Sequence, residues 1–404
     1  MLNIALIAAA AIGPAAPHDH NHLPVEPPRS FQVISDTEII ADGMTFNSWQ
    51  ALAESGYFHQ MDTRCATSFW DLPDDPARGI PADCSLNNTN PAPAYAPSVS
   101  KLRIPVVVHV IQNSSGTGFI PESRVRSQID ILNEDFLALS GTNGALGFDT
   151  QIEFYLATED PNGNPTTGIT YTTNNTWFND SGTYYNTLAW DTDRYLNIYT
   201  NSASGALGYV PALPQEGIVG SNADRVVCLY SAFGRNAPLA PYNQGRTATH
   251  EVGHYLGLFH TFNGGCASAS GCSGNGDRIC DTNPEAQPRY GCPGSASSCG
   301  NSDPYRNYMD YTDDLCMTNF TEDQGYRMRC TLINYRPDVF SVDNPAEPCP
   351  ADLSPPIGSL DIFDILVYLE QYNSQDPAAD LDNNGSFSIF DILAFIELYN
   401  AGCP

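Results

Sequence analysis

HEVGHYLGLFH, at residues 250–260, is the stretch that decides the fold and chemistry of this chain. On a helix, His250 and His254 lie four residues apart, so both imidazoles project from one face and can bind one metal ion. Gly257 can adopt backbone angles that other residues avoid, so the chain can bend and bring His260 to the same point. Three imidazoles leave one coordination position open, which is typical of a catalytic zinc ion rather than a structural one.

Glu251 follows the first histidine of this motif and is placed to act as a general base. Zinc lowers the pKa of a bound water to about 7, and Glu251 can accept the proton that this water loses. Of the eight histidines in the chain, four lie before residue 60 and three fall within this one stretch. A pair of histidines at this spacing also arises by chance, but the third histidine and the glycine make chance a poor explanation.

Composition excludes several classes of protein. The 404 residues carry a formal net charge of −29, with 46 Asp and Glu against 17 Lys and Arg. Phosphate backbones are bound by basic patches, so nucleic-acid binding is not expected. The surplus of carboxylates suits calcium, and it equally suits a solvated surface. After the first dozen residues, no apolar run approaches the ~20 residues that cross a bilayer, so no membrane span is expected.

The N-terminus and the cysteines indicate a secreted, extracellular protein. Residues 1–16, MLNIALIAAAAIGPAA, have the apolar run and small residues of a secretory signal peptide, although the usual Lys or Arg before the run is missing. Twelve cysteines, most of them after residue 265, indicate disulfide bonds and an oxidising compartment.

Hydrophobic periodicity predicts an α/β domain over residues 99–342, since a strand and a helix are followed by further strands. Residues 17–98 are rich in Pro and polar residues and contain no long periodic segment, which predicts an extended pro-segment. Residues 343–350 form a Pro-rich linker, and 351–404 form a separate module. The predicted strands are 104–111, 152–157, 195–199 and 225–230, and the predicted helices are 121–139 and 247–258.

An internal repeat occupies the C-terminal module: ADLSPPIGSLDIFDILVYLEQYN (351–373) matches ADLDNNGSFSIFDILAFIELYN (379–400). The second copy fits a twelve-residue calcium loop of the EF-hand kind, with Gly385 at the sixth position and an apolar helix after it. The oxygen ligands at positions 1, 3, 5 and 12 are Asp380, Asp382, Asn384 and Asp391.

The first copy of the repeat is damaged. Asp352 and Asp364 remain, but Pro355 and Pro356 occupy the middle of the loop, so we expect a weak or absent site there. Cys349 and Cys403 bracket the whole module and can clasp its ends. The tandem arrangement resembles a dockerin module, a small all-α unit. Such a tail can bind a cohesin-like or cell-surface partner, or can be a calcium-stiffened terminal domain with no partner.

The extended histidine motif resembles that of the metzincins, which are named for a methionine-containing turn beneath the zinc. RNYMDYTDD (306–314) supplies a candidate turn with Met309. Its spacing and flanks are similar to those of the ulilysin-like pappalysin family over roughly residues 100–335. The resembling segments are HTFNGGC (260–266), GDRICDTNPE (276–285), GCP (291–293) and NYMDYTDDLCM (307–317).

The resemblance implies a metzincin-type catalytic domain, with a twisted mixed sheet, an active-site helix and an irregular, disulfide-rich C-terminal subdomain. The implied function is that of a secreted zinc endopeptidase acting on protein or peptide substrates without a covalent intermediate. Two rival hypotheses remain. One is a non-catalytic extracellular adhesion or assembly protein that acts through the tail, and the other is a hydrolase of non-peptide bonds.

The resemblance also assigns roles near the metal. Met309 forms a hydrophobic floor beneath it, and Tyr311 steadies the oxyanion of the tetrahedral intermediate, unless it is simply a packed aromatic residue. Asp313 and Asp314 lie where the wall of the S1′ pocket is expected, and a carboxylate there favours a basic P1′ side chain. Solvation or calcium binding are equally open roles for these two aspartates.

Calcium and disulfides follow from the same resemblance. Asp277, Asp281 and Thr282 resemble the calcium-binding segment of the family, although aspartates in exposed turns are common without an ion. The implied bridges of the catalytic domain are crossed, Cys266–Cys299 and Cys292–Cys316. Two further pairings have no parallel in the family and are Cys272–Cys280 and Cys228–Cys330.

Cys65 stands in TRCATSFW within the predicted pro-segment. Related zymogens carry a cysteine in such a context, and its thiolate occupies the open zinc position until the segment is removed. The competing interpretation is a Cys65–Cys84 disulfide. The expected metals are therefore catalytic Zn²⁺, capped by Cys65 in a latent form, and structural Ca²⁺.

Overall fold

A computed structural model describes residues 30–67, 84, 95–97, 101–266, 276–342, 351, 353–354, 360, 362–381 and 384–401. Strands and helices are numbered separately in chain order. They are β1 (Phe31–Ser35), β2 (Glu38–Ala41), β3 (Met44–Phe46), α1 (Trp49–Glu54), α2 (Met61–Arg64), β4 (Leu102–Gln112), α3 (Glu122–Phe136), β5 (Ile152–Leu156), β6 (Ile169–Thr173), α4 (Asn175–Phe178), α5 (Tyr185–Leu188), β7 (Leu196–Asn201), β8 (Gly208–Tyr209), β9 (Val226–Leu229), α6 (Arg246–Tyr255), β10 (Ser297–Ser298), β11 (Asn301–Ser302), α7 (Glu322–Tyr335), β12 (Ser341–Val342), α8 (Ile362–Asn373) and α9 (Ile389–Ala401).

Strand β4 organises the main sheet. Within the described ranges it pairs in parallel with β5, β6 and β7, and β7 pairs in parallel with β9. The short strands β8 and β12 pair antiparallel, so the seven-stranded sheet is mixed. The β-branched run of β4 is buried almost throughout, as is typical of a strand covered on both faces. Strand β8 therefore lies at the end of the sheet, beside β9, where it borders the site described below.

Helices α3 and α6 lie in the core with the sheet. The buried apolar residues of α3 recur at helical spacing, and they include Val125, Ile129, Leu132 and Phe136. In α6, every residue from Arg246 to Tyr255 is buried. Since α6 carries the histidine motif, all the polar side chains of that motif lie in the interior, where each requires a partner.

Most predicted elements agree with the observed ones to within a few residues. The helix predicted over 247–258 ends earlier, at Tyr255, and Gly257 then adopts a φ of 89°. Helix α7 was not predicted, although its start carries a capping signal. Thr321 accepts a hydrogen bond from the amide of Gln324, whose side chain accepts one from the amide of Thr321.

The prediction of an extended pro-segment differs from the structure over residues 30–67. This region forms the three-stranded antiparallel sheet β1–β2–β3 and two short helices. Its buried side chains, Val33, Ile39, Trp49 and Phe58 among them, belong to the same hydrophobic core as the main sheet. The elements are too short to show periodicity, and they fold because the larger domain completes their core.

Three disulfides are described completely. The crossed pairs Cys266–Cys299 and Cys292–Cys316 are both formed, and the third bond joins Cys84 to Cys330 in α7. The expected Cys228–Cys330 pairing is therefore wrong, and Cys228 is a free thiol buried in β9. Because Cys84 is bonded to Cys330, the alternative Cys65–Cys84 bond is also excluded.

The remaining cysteine pairings lie partly outside the described residues. Cys280 is disulfide-bonded. Its expected partner Cys272, and the expected clasp of Cys349 with Cys403, fall in ranges that the structure does not describe.

The C-terminal repeat forms α8 and α9, which have their own small core. Tyr368 of α8 stacks on Phe395 of α9, with ring centroids 4.0 Å apart. None of the helices in the described ranges has the length and hydropathy of a membrane span.

Candidate metal centre

Helix α6 and the chain after it bring three imidazoles to one point. The Nε2 atom of His254 lies 3.1 Å from that of His250 and 3.0 Å from that of His260. The third separation, between His260 and His250, is 3.2 Å. All three residues are buried.

Backbone carbonyls orient two of these rings. Nδ1 of His250 donates to the carbonyl of Tyr308 and Nδ1 of His254 to that of Leu258, each at 2.7 Å. A carbonyl only accepts, so both protons lie on Nδ1 and both Nε2 lone pairs point inward. Burial is the main cause of a lowered pKa at all three imidazoles, and it lowers the pKa of His254 to about 4. Each ring is therefore neutral.

The donor set fits a tetrahedral zinc ion. Zinc–nitrogen distances of about 2.0–2.1 Å place neighbouring nitrogens roughly 3.3 Å apart, close to the separations found here. Neutral imidazoles with inward lone pairs are the ligands that zinc takes. The described residues contain one cluster of three or more potential metal ligands, which consists of His250, His254, His260 and Cys65. The ligand atoms of these four residues all lie within 4.8 Å of one another.

Glu251 is buried beside the imidazoles. Its Oε2 accepts from the Cys65 thiol at 3.5 Å and from the Thr67 hydroxyl at 3.3 Å. Among the described residues, nothing hydrogen-bonds its Oε1. Burial raises the pKa of this carboxyl to about 8, although the hydrogen bond from Cys65 and the charge of Arg64 both act to lower it. The unpartnered oxygen is free to accept a proton from a molecule that enters the site.

The predicted Met-turn lies directly beneath the helix. Met309 is fully buried, and a Cβ added at Gly253 would clash with its sulfur. Glycine at position 253 thus permits the close approach of the turn. The hydroxyl of Tyr311 lies 3.2 Å from Nε2 of His260, which places this phenol at the edge of the metal centre.

A buried network joins α6 to the Met-turn. Asp135 of α3 pairs with Arg246 at 3.0 Å and accepts from the Thr249 hydroxyl at 2.7 Å. It also accepts from the phenol of Tyr308 at 2.8 Å, and the carbonyl of Tyr308 is the one that orients His250. Asp135 therefore links three elements whose relative position sets the histidine geometry.

The N-terminal segment lies along β8 and reaches the metal centre. The amide of Leu207 donates to the carbonyl of Thr63 at 2.9 Å, and the amide of Ala66 to that of Gly208 at 3.0 Å. These backbone contacts place Cys65 beside the three histidines. Burial, followed by the charge of Glu251, raises the pKa of the Cys65 thiol.

Arg64 fills an interior pocket next to the histidines and is fully buried. Its guanidinium carbon lies 5.0 Å from the ring centroid of Tyr242 and 5.9 Å from that of Tyr311. One of its nitrogens donates to the hydroxyl of Thr247 at 3.5 Å. Burial raises the pKa of Asp314, and the charge of Arg64 is the largest influence that opposes this rise.

The two aspartates of the expected S1′ wall differ in environment. Asp314 is fully buried, and its Oδ2 accepts the amides of Gln244 at 2.7 Å and Arg246 at 3.2 Å, where α6 begins. Asp313 is half-buried. Asp314 therefore caps the helix, whereas the charge of Arg64 opposes the rise in pKa that burial causes at both aspartates.

The predicted calcium segments are only partly brought together. Asp277 is buried beside the hydroxyl of Thr282, and burial raises its pKa to about 7. Asp281 instead accepts from the amide of Asp323 at 3.0 Å.

In the tail, the carboxylate of Asp380 accepts the amides of Asn384 at 3.1 Å and Gly385 at 2.8 Å, and Asp391 accepts that of Ser388 at 2.8 Å. Asp382 lies outside the described residues.

The sequence did not predict three residues near the site, which are Arg64, Tyr242 and Asp135. A weak signal existed for Arg64, which directly precedes Cys65 in a chain with only 17 basic residues. Asp135 and Tyr242 had no signal, because their contacts with Arg246 and Arg64 each join residues more than a hundred positions apart in the sequence.

The profile of peptidase family M43, described as pregnancy-associated plasma protein-A, matches residues 180–333. The "Extracellular metalloprotease 1" of Coccidioides posadasii is 35% identical over 253 residues, which are 60% of this chain and 81% of that protein. A promirolysin variant of Tannerella forsythia is 38% identical, with a TM-score of 0.53 over 61% of this chain and 87% of that one. Mature mirolysin of the same organism, in complex with a cleaved peptide, is also 38% identical, with a TM-score of 0.50 over 61% of this chain and 100% of that one.

Replacing Gly253 by Ala is expected to weaken zinc binding by about 10- to 100-fold, the range typical of lost support behind a metal ligand. The new Cβ displaces the Met309 sulfur and with it the Tyr308 carbonyl that orients His250. Zinc affinity is measured by competition with a chromogenic chelator.

The double variant Gly253→Ala/Met309→Ala is the control, since removing the sulfur makes room for the new Cβ. It should recover part of the affinity. Equal zinc affinity in wild type and Gly253→Ala would contradict the close approach as a requirement of the site.

Proposed function

This chain belongs to the pappalysin family of metalloendopeptidases, and from that premise we propose that it is a secreted zinc peptidase with Glu251 as its general base. His250, His254 and His260 hold the metal. The observation that carries the proposal is the convergence of three neutral imidazoles, 3.0 to 3.2 Å apart, beside a buried carboxylate. The substrates are proteins or peptides. Secretion is proposed to use residues 1–16, which lie outside the described residues.

A zinc ion held by His250, His254 and His260 would polarise the scissile carbonyl and make a water acidic enough to react near neutrality. Glu251 accepts the proton that the attacking water loses and delivers it to the leaving amine. Burial raises the pKa of Glu251, which makes its carboxylate a stronger proton acceptor than an exposed one. The phenol of Tyr311, beside His260, is placed to donate to the oxyanion as the carbonyl becomes tetrahedral.

Glu251→Gln is expected to lower kcat by about 10²–10⁴-fold, the usual contribution of a positioned general base, while zinc binding is kept. The amide has the same shape as the carboxyl but cannot take up the proton. Activity is measured on a peptide library after removal of the N-terminal segment, and zinc content by mass spectrometry.

A zinc chelator applied to the wild type serves as the matched control and should abolish cleavage. If the folded, zinc-loaded wild type cleaves nothing, the rival role of a non-catalytic adhesion protein gains support. If Glu251→Gln keeps full activity, Glu251 is not the base.

The chain is proposed to be made as a latent zymogen in which the sulfur of Cys65 would be the fourth ligand of a zinc ion held by the three histidines. Support comes from the sulfur, which lies with the three histidines, and from the backbone bonds that hold residues 63 and 66 along β8. A sulfur ligand there displaces the water on which catalysis depends. One of the similar solved structures is named as a pro-form, promirolysin.

A basic P1′ residue is the proposed substrate preference. Arg64, next to Cys65, packs its guanidinium against Tyr242 and donates to Thr247, and its charge acts on the carboxyl of Asp314. A pocket that accommodates this side chain in the latent form offers the same aromatic face and carboxylate to a substrate arginine. Arg64 therefore supports the preference independently of the sequence resemblance.

Asp314→Asn is expected to lower kcat/KM for a peptide with arginine at P1′ by about tenfold, because a buried negative charge near the arginine is lost. The amide oxygen still accepts the amides at the start of α6, so the helix cap is kept. Rates are compared for two peptides that differ only in arginine or neutral citrulline at P1′.

Asp313→Asn is the matched control, and its half-buried position predicts a change of about threefold or less. The proposal is wrong if Asp314→Asn leaves the arginine-to-citrulline ratio unchanged.

Structural calcium is proposed for both regions. In the catalytic domain the site is Asp277 with Thr282 and Asp281, and in the tail it is the loop that begins at Asp380. Support for the tail site is the fold of its loop, in which Asp380 accepts two amides and Gly385 has a φ of 78°. Exposed apolar side chains on α8 and α9 support a role for the tail in docking to an extracellular or cell-surface protein; they include Ile362, Leu366, Ile389 and Phe390.

Asp380→Ala is expected to remove one equivalent of calcium from the full chain, because the loop loses its first carboxylate. Isothermal titration with calcium measures the stoichiometry. Asp376→Ala, which removes a nearby exposed carboxylate outside the loop, should leave the stoichiometry unchanged. An unaltered stoichiometry in Asp380→Ala would show that the tail holds no such site.

A further inference from the structure

Cys84 fastens the N-terminal region to the catalytic core. It is fully buried and bonded to Cys330 of α7, 246 residues further along the chain. Its carbonyl accepts from the side chain of Gln215 at 3.0 Å. Nearby, the Asn334 side chain donates to the phenol of Tyr95 at 3.3 Å. Position 84 is therefore attached to α7 by a covalent bond and to Gln215 by a buried hydrogen bond, and position 95 contacts α7 through a partly buried hydrogen bond.

Cys65, nineteen residues before Cys84, is attached in a different way. It lies at the metal centre without a disulfide, held by the backbone bonds to β8 and by the packing of Arg64. These contacts are reversible, whereas the Cys84–Cys330 bond is not broken by dissociation. The two cysteines thus divide the region before residue 101 into a releasable part and a retained part.

We propose that the cut that activates the enzyme falls between Cys65 and Cys84, and that the chain from Cys84 onward stays in the mature protein. This inference rests on the proposed zymogen function. Hydrolysis of one peptide bond in that interval consumes one water and frees the segment that carries Arg64 and Cys65. The retained chain therefore begins upstream of the boundary at residue 98 that composition suggests.

A cut after Cys84 has a different consequence. The inhibitory segment then remains joined to the core through the disulfide, at an effective concentration on the order of millimolar for a short flexible tether. At that concentration the segment rebinds whenever it leaves, so the enzyme stays latent. Because of the disulfide, activation depends on whether the chain is cut before or after Cys84 and not on how many times it is cut.

Two full-length variants test this, each with one inserted recognition sequence for a protease that otherwise leaves the chain intact. The first carries it between Cys65 and Cys84, and the second between Tyr95 and Leu102. Size exclusion without reductant, followed by intact mass, shows whether the cut segment stays. The first should lose it and become active, while the second should keep it and be at least about tenfold less active.

Cys84→Ser/Cys330→Ser in the second variant is the matched control. After the same cut it should release the segment and reach the activity of the first variant. Release from the second variant with its disulfide intact would overturn the proposal, whatever the activity. Retention as proposed, with no cleavage of any peptide by the released enzyme, would instead mean that the peptidase proposal fails.

The N-terminus of self-matured wild-type protein gives a further measurement that needs no cysteine substitution. Sequencing should place it between residues 66 and 84. A mature N-terminus after residue 84, in active protein without a disulfide-linked fragment, would contradict the proposal even if the double variant does not fold.

Discussion

Three imidazole nitrogens held 3.0 to 3.2 Å apart are the constraint on which the rest of this structure depends. Lone pairs at that distance repel one another unless a cation lies between them, so the surrounding chain must hold the rings in place. The carbonyls of Tyr308 and Leu258 do so directly. Gly257, with a φ of 89°, turns the chain so that His260 returns to the other two. The Met-turn, the bend after α6 and the helix itself thus have fixed relative positions.

Because the histidine cluster is buried, the polar groups around it must be paired inside the protein. Every residue of α6 is buried, so the ionised and polar groups around it need partners inside the protein. Asp135 supplies partners to Arg246, Thr249 and Tyr308 at once. A buried ion pair adds little net stability, but breaking it leaves an uncompensated charge, so such a network fixes geometry more than it stabilises the fold.

The proposed latent form would use the features that define the site. Two adjacent residues of one segment lie in the site, since Cys65 lies with the three histidines and Arg64 packs against Tyr242. The short strands and helices before them add their apolar residues to the main core, which explains how a segment without periodicity becomes ordered. The Cys84–Cys330 bond then separates this segment from the part of the chain that belongs to the catalytic core.

Local pattern was enough for much of the fold and for the histidines that converge in the candidate metal centre. Helical spacing set His250, Glu251 and His254 on one helix, and β-branched runs located β4, β7 and β9, because these properties depend on neighbours within a few residues. Tertiary structure alone brought Asp135 and Arg64 to the site and paired Cys84 with Cys330 instead of Cys65. Such contacts join residues dozens to hundreds of positions apart, and they are fixed by which surfaces pack together, which no local spacing records.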